Sequence, residues 1–281
     1  MDVEYPWQRG PDFIEGIRAG GKGSQGFLIV AAHPDDEVIG AFTWIASRLD
    51  GWVAYVTDGA PRNLQDAWMH GFEDCASYAR ERTSEAEEAL ALARFNPERV
   101  LRLWFPDQET TFCLTHLAES LWHTLVSLRP AIVITHAYEG GHPDHDSTCF
   151  AVHAACRMLA GELRPTLLEM TSYHLRDGAM ETGCFLPATI PQRQWRVLLG
   201  RAPRALKAQM LACHRTQQEV LREFKTDEER YRLAPAYNFK RPPHLGQLLY
   251  EYHDWGVSGE QWREAARQTT VELNLGRDLC G

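Results

Sequence analysis

Phe27-Leu28-Ile29-Val30-Ala31-Ala32 is an apolar run of strand length, and it passes without a linker into His33-Pro34-Asp35-Asp36-Glu37. Pro34 suits the first position of a helix, where its fixed φ fits and its missing N–H costs nothing. Asp35, Asp36 and Glu37 then fall in the first turn, where the helix dipole favours negative charge. The segment reads as a strand feeding a helix. Similar units recur downstream. Strands over Phe27–Ala32, Trp52–Thr57, Val100–Phe105, Ala131–Thr135 and Leu167–Tyr173 alternate with helices over Asp36–Leu49, Phe72–Phe95, Leu114–Leu128 and Ser147–Leu159. That alternation predicts an α/β fold with a mostly parallel sheet covered by helices on both faces.

The last third changes character. Arg201–Lys225 reads as one long helix, followed by a loop-rich stretch with Pro235, Pro242 and Pro243 and a closing helix near Ser258–Glu272. We expect a single domain over residues 1–281, with an α/β core at 26–200 and a C-terminal helical and loop extension at 201–281 packed on it.

Composition narrows the function classes. With 38 acidic and 29 basic residues the net charge is -9, and no basic run exceeds two residues. Nucleic-acid binding through phosphate neutralisation is therefore not expected. Seven cysteines without a CxxC pair read as free thiols in a reducing cytoplasm rather than a disulfide framework. The acidic, proline-broken start MDVEYPWQRG is not signal-like, and no apolar run approaches a membrane span.

The His33–Glu37 segment alone has a bland reading, an acidic helix start beside a histidine. A second segment changes the balance. After the strand Ala131–Thr135 come Gly140, Gly141, His142, Pro143, Asp144, His145 and Asp146. The glycines permit a sharp turn, and His142 and His145 repeat across Pro143 the spacing of His33 and Asp36 across Pro34. Capping does not explain the same arrangement at two strand ends, where open α/β sheets bind ligands. His33, Asp36 and His145 make two histidines and a carboxylate with one position open, the layout of a catalytic zinc. Asp35 is placed as general base for the activated water, and His142 as donor to the tetrahedral intermediate. Asp144 can hold a neighbouring imidazole in the required tautomer. Glu37 reads as helix support. The same ligand set also occurs in non-haem iron oxygenases, although those favour barrel-like scaffolds. A noncatalytic sugar-binding or assembly protein is a third option, which an intact base argues against.

At these residues the sequence resembles the PIG-L/LmbE-like family of zinc-dependent N-deacetylases, whose two hallmark motifs look like AHPDDE and GHPDHD here. The resemblance extends over roughly residues 26–220. It implies a Rossmann-like fold and hydrolysis of an N-acetyl group, often on a glucosamine-type sugar. It also implies His33, Asp36 and His145 as ligands, Asp35 as base and His142 as acid or oxyanion stabiliser. Weaker matches are Thr57-Asp58-Gly59, Arg82-x-x-Glu85, Asp107, and Lys207 with Cys213-His214-Arg215-Thr216-Gln217. By resemblance Arg82 and Asp107 contact the sugar. One departure is Gly140, where some members carry a tyrosine whose role would be absent or fall to Tyr138.

Other features carry less. Gly21-x-Gly23-x-x-Gly26 precedes the first strand instead of following one, so it is not a dinucleotide site. No GxSxG elbow exists. Trp68 and Trp104 are candidates for stacking on a sugar, but read first as core residues. His136, Asp58 and His214 read as supporting groups, and His70, His116, His123, His153, His174, His244 and His253 lack ligand spacing to either motif. The oligomeric partner, if any, is not legible.

Overall fold

The computed structural model describes residues 26–47, 50–187 and 193–276. The glycine pattern at Gly21 and Gly23, the N-terminal stretch and Cys280 lie outside the described residues. Among the described residues the strands are β1 (Phe27–Ala31), β2 (Gly51–Thr57), β3 (Val100–Phe105), β4 (Ile132–His136), β5 (Thr166–Met170), β6 (Tyr173–Arg176), β7 (Ala179–Thr182), β8 (Gln194–Leu198) and β9 (Glu228–Leu233). The main helices are α1 (Asp36–Ile45), α2 (Cys75–Leu92), α3 (Leu114–Leu128), α4 (Pro143–Met158), α5 (Arg201–Cys213) and α6 (Gly259–Glu272).

The strands β1 to β5 pair in parallel in the order β3-β2-β1-β4-β5, as the alternation of patterns predicted. Successive residues of β1 serve opposite faces. Phe27, Ile29 and Ala31 pack with α1, α2 and α5, whereas Leu28 and Val30 pack with α3, α4 and α6. Both faces being covered, the strand is apolar at every position. The chain leaving β1 turns into α1 on one face and the chain leaving β4 turns into α4 on the other. The crevice between these strand ends is the topological switch point of the sheet.

Several boundaries differ from expectation for identifiable reasons. The helix expected over Arg201–Lys225 stops at Cys213. Beyond it the Thr216 N–H and hydroxyl both bond Glu85, at 2.9 and 2.7 Å, and Gln217 bonds the Tyr78 hydroxyl at 2.8 Å. These anchors to α2 take the chain out of helical register. The strand expected to reach Tyr173 ends at Met170, and Tyr173 instead opens a hairpin, β6–β7. Its turn is Asp177-Gly178, both at positive φ, an ordinary two-residue hairpin signal that the sequence reading passed over. The C-terminal third is not only helix and loop, because β9 and β8 extend the sheet antiparallel beyond β5.

Candidate metal centre

Two loops converge on the crevice, one from β1 carrying His33 and Asp36, the other from β4 carrying His142 and leading into His145 on α4. Close packing shapes the second loop. A Cβ on Gly141 would stand 2.0 Å from the Tyr173 carbonyl oxygen, so only glycine lets the chain pass. His33 Nδ1 lies 3.3 Å from Asp36 Oδ2 and 3.3 Å from His145 Nε2. His145 Nε2 is in turn 3.2 Å from Asp36 Oδ1. A tetrahedral ion with bonds of about 2.0–2.1 Å separates its ligands by about 3.3 Å along each edge. The three buried side chains stand at ligand spacing and can hold a metal ion.

Their charge states suit that task. Burial opposes a charged Asp36, but His145 and His136 outweigh it and hold the carboxyl well below the carboxylate range. Burial takes His145 down to about 3, so its imidazole is neutral. His33 behaves differently. Against the penalty of burial, Asp107, Asp144 and Asp36 raise it well above the ordinary histidine value. Its Nε2 faces Asp107 Oδ1 at 3.1 Å and Asp144 Oδ2 at 3.3 Å. Ligation through Nδ1 would displace one proton and leave the Nε2–H on these carboxylates, which fixes the ring. Asp144 is itself held by the Gln108 N–H at 2.6 Å and by the Thr110 hydroxyl.

Asp35 stands beside the triangle in a backbone conformation, φ 137°, that side chains rarely adopt. Its N–H donates to Glu37 Oε2 at 3.0 Å, and its carboxylate accepts from Arg82 Nη2 at 2.9 Å. Arg82 reaches there from α2 and also donates to the carbonyls of Gly59, at 2.7 Å, and Pro34, at 3.1 Å. Its Nη1 is 3.7 Å from Asp107. Burial pushes the Asp35 carboxyl up to about 7, with Asp36 and Asp107 adding to the rise and Arg82 and His33 opposing it. Burial likewise pushes Glu37 up to about 8.

His142 caps α4, its Nδ1 accepting the Asp144 N–H at 3.1 Å. The ring packs edge-on to His33 at 4.5 Å and against Trp255 at 4.8 Å. Burial and the charge on His33 keep its pKa well below the ordinary value, so the ring is neutral. With Nδ1 accepting, the one ring proton resides on Nε2.

These groups line a cleft of about 540 Å³ whose wall includes His33, Asp35, Asp36, Arg82, Asp107 and His142. Tyr173, His253 and Trp255, which sequence reasoning missed, also line it. Tyr173 had been read only as the end of a strand, and its Asp177-Gly178 turn was the signal for the hairpin it belongs to. Trp255 and His253 sit in the loop-rich stretch, with no motif to mark them. Trp68 and Trp104 are neither core nor cleft residues, being 61% and 56% exposed. Tyr138 is buried against Trp262, its hydroxyl donating to the Arg241 carbonyl, and does not line the cleft. His136 accepts the Ala32 N–H at 3.0 Å and stacks on His145, a wall of the centre. Asp58 pairs with Arg62 at 2.6 Å, and Lys207 with Glu229 at 2.8 Å. His214 is buried at the end of α5.

Residues 28–156 match the model of the PIG-L family, described as GlcNAc-PI de-N-acetylase. The resemblance expected from the two motifs is thereby borne out. No curated protein matches the chain by sequence. Among solved structures the chain is similar to the A40926 pseudoaglycone deacetylase Dbv21, at 17% identity and a TM-score of 0.58 over 75% of this chain and 97% of that one. It is similar to a zinc-inhibited form of teicoplanin deacetylase Orf2, at 16% identity and TM-score 0.55, over 73% and 96%. The N,N'-diacetylchitobiose deacetylase of Pyrococcus horikoshii gives 17% identity and TM-score 0.52, over 79% and 84%. At such identities the likeness is one of fold.

Proposed function

We propose that this chain, with its PIG-L match over residues 28–156, is a zinc-dependent N-deacetylase acting on an amino sugar or its conjugate. The observation that carries this reading is the buried triangle of His33 Nδ1, Asp36 and His145 Nε2 with Asp35 beside it on a cleft. Support comes from fold relatives described as a pseudoaglycone deacetylase and an N,N'-diacetylchitobiose deacetylase. Zinc held by the three side chains would lower the pKa of a water in the open position and polarise the amide carbonyl.

The remaining steps belong to the protein's own groups. Asp35 takes a proton from the water as its oxygen adds to the acyl carbon, and a carboxyl near 7 is matched to that work at neutral pH. Arg82 fixes the Asp35 carboxylate by its 2.9 Å bond. His142, neutral with its proton on Nε2, donates a hydrogen bond to the oxygen that gains charge in the tetrahedral intermediate. The proton on Asp35 passes to the departing nitrogen as the carbon–nitrogen bond breaks, giving acetate and a free amine. Asp144 orients His33 by accepting at Nε2. Arg82 and Asp107 also line the cleft, where they would border the sugar. The unpaired state of six described cysteines supports a reducing, cytoplasmic setting.

The test is incubation of zinc-loaded protein with a panel of N-acetyl sugars and conjugates, followed by mass spectrometry. Loss of one acetyl group is the expected result. Elemental analysis should find the metal in the wild type and a deficit in His145→Ala. Full zinc retention in both His33→Ala and His145→Ala would refute the assignment of the ligands.

A further inference from the structure

One to two turns further along α4 from the ligand His145, a different group of donors is buried in the sheet–helix interface. Cys149 and His153 are four residues apart and so share one face of the helix. They meet Glu169 of β5, and the sulfur, one ring nitrogen and one carboxylate oxygen all lie within 4.8 Å of one another. The thiol and the carboxylate are wholly buried.

The unused atoms in this group are specific. Arg232 Nε donates to Glu169 Oε2 at 2.6 Å, but Glu169 Oε1 is buried with no partner. His153 Nε2 is buried with no partner either. The group thus holds one carboxylate oxygen and one ring nitrogen that are buried without partners, a costly arrangement unless something joins them. Glu169 and Glu139 lie 2.6 and 3.6 Å from the same Arg232 guanidinium. Burial pushes Glu169 up to about 7 and the Cys149 thiol well above its ordinary value. A divalent ion bound between them would favour the ionised form of both.

We propose that Cys149, His153 and Glu169 form a second metal site, one for a thiolate-seeking divalent cation such as zinc. The ligand types suit it, since a thiolate, an imidazole and a carboxylate are all zinc donors. Burial alone takes His153 down to about 4, which leaves its imidazole neutral and free to ligate. A cavity of about 240 Å³ lined by His153, Cys156 and Tyr237 provides an entry path from the surface. None of the three residues lines the cleft, so the role of the site is structural. It ties α4, which presents His142 and His145, to β5, and through Arg232 to β9.

Cobalt tests this without relying on catalysis. The triangle of His33, Asp36 and His145 contains no sulfur, whereas Cys149 would give cobalt-loaded protein a near-ultraviolet thiolate-to-metal charge-transfer band. The expected result is a band in the wild type that is lost in Cys149→Ser, with zinc content falling by about one ion per chain. His153→Gln should weaken the band and lower the zinc content. This second variant serves if Cys149→Ser does not fold. Absence of the band from the wild type, or its persistence unchanged in a folded Cys149→Ser or His153→Gln, would overturn the proposal. Failure of deacetylation would leave this result untouched, because the two sites share no ligand.

Discussion

Arg82→Gln separates two tasks that the geometry gives one residue. The guanidinium is 4% exposed and donates to Asp35, Gly59 and Pro34. Two unit charges 2.9 Å apart attract by about 1.4 kcal/mol at the dielectric constant of water and about 6 kcal/mol at an effective value of about 20. At about 1.4 kcal/mol per pH unit, removing Arg82 should raise the Asp35 carboxyl by at least about one unit from its value near 7. The base works ionised, so activity rises with pH through this value. The acid limb of kcat should therefore move to higher pH in Arg82→Gln, with activity at pH 7 falling about fivefold or more and recovering towards pH 9. Above the shifted value, where Asp35 is ionised, stability should drop by about 3–5 kcal/mol, because the variant leaves a buried carboxylate without its cation. The assay is a pH–rate profile of kcat and kcat/KM alongside chemical denaturation. A raised KM with an unmoved acid limb would sink the reasoning and leave Arg82 as a substrate contact only.

Three further outcomes follow from the same geometry. Asp35→Asn should retain its zinc by elemental analysis and lose turnover by about 10²-fold or more, since the amide cannot take a proton. In metal-free protein, Asp35 has a folded value of about 7 against an ordinary 3.8, so it weakens the fold increasingly as pH rises between them. The stability of Asp35→Asn relative to wild type should accordingly climb over that interval in thermal melts, and a flat difference would remove the buried-carboxyl argument. His142→Ala should keep the metal and lose about 10²–10³ in kcat with KM little changed, the pattern of a donor used mainly in the transition state. Gly141→Ala should misplace the second loop, because its Cβ would stand 2.0 Å from a backbone oxygen; normal zinc content and melting temperature in that variant would refute the packing account.

The sequence made the central sheet legible because β1, β2 and β4 are almost wholly buried and contain few groups that need partners. Its blind spot was β9, where Glu229 and Arg232 occupy buried positions in an otherwise charged run. Their burial depends on Lys207, 22 residues earlier, and Glu169, 63 residues earlier, and no local pattern marks such pairing. The helix expected through Lys225 failed for a similar reason, since Thr216 and Gln217 are held by Glu85 and Tyr78 from a distant helix. The two histidine motifs were legible because each sits at its own strand end and β1 and β4 are neighbours in the sheet. The cleft wall was not, since Trp255 and His253 arrive from a loop with no periodicity.

The hardest thing to read was the difference between Asp35 and Asp36, two identical side chains on adjacent residues. Both are almost fully buried, and burial pushes both toward the neutral form. Asp36 turns toward His145 and His136, whose rings hold it ionised well below the ordinary range. Asp35, rotated away by a φ of 137°, meets one guanidinium and the repulsion of Asp36 and Asp107, and stays near 7. Environments that drive like groups apart are what allow one to serve as a permanent anion and the other to exchange a proton at neutral pH. The backbone twist at Asp35 is thus part of the chemistry, and the N–H that it turns to Glu37 at 3.0 Å helps to hold it. Glu37, which looks like simple helix support in the sequence, supports the geometry on which the proposed division into a ligand and a base rests.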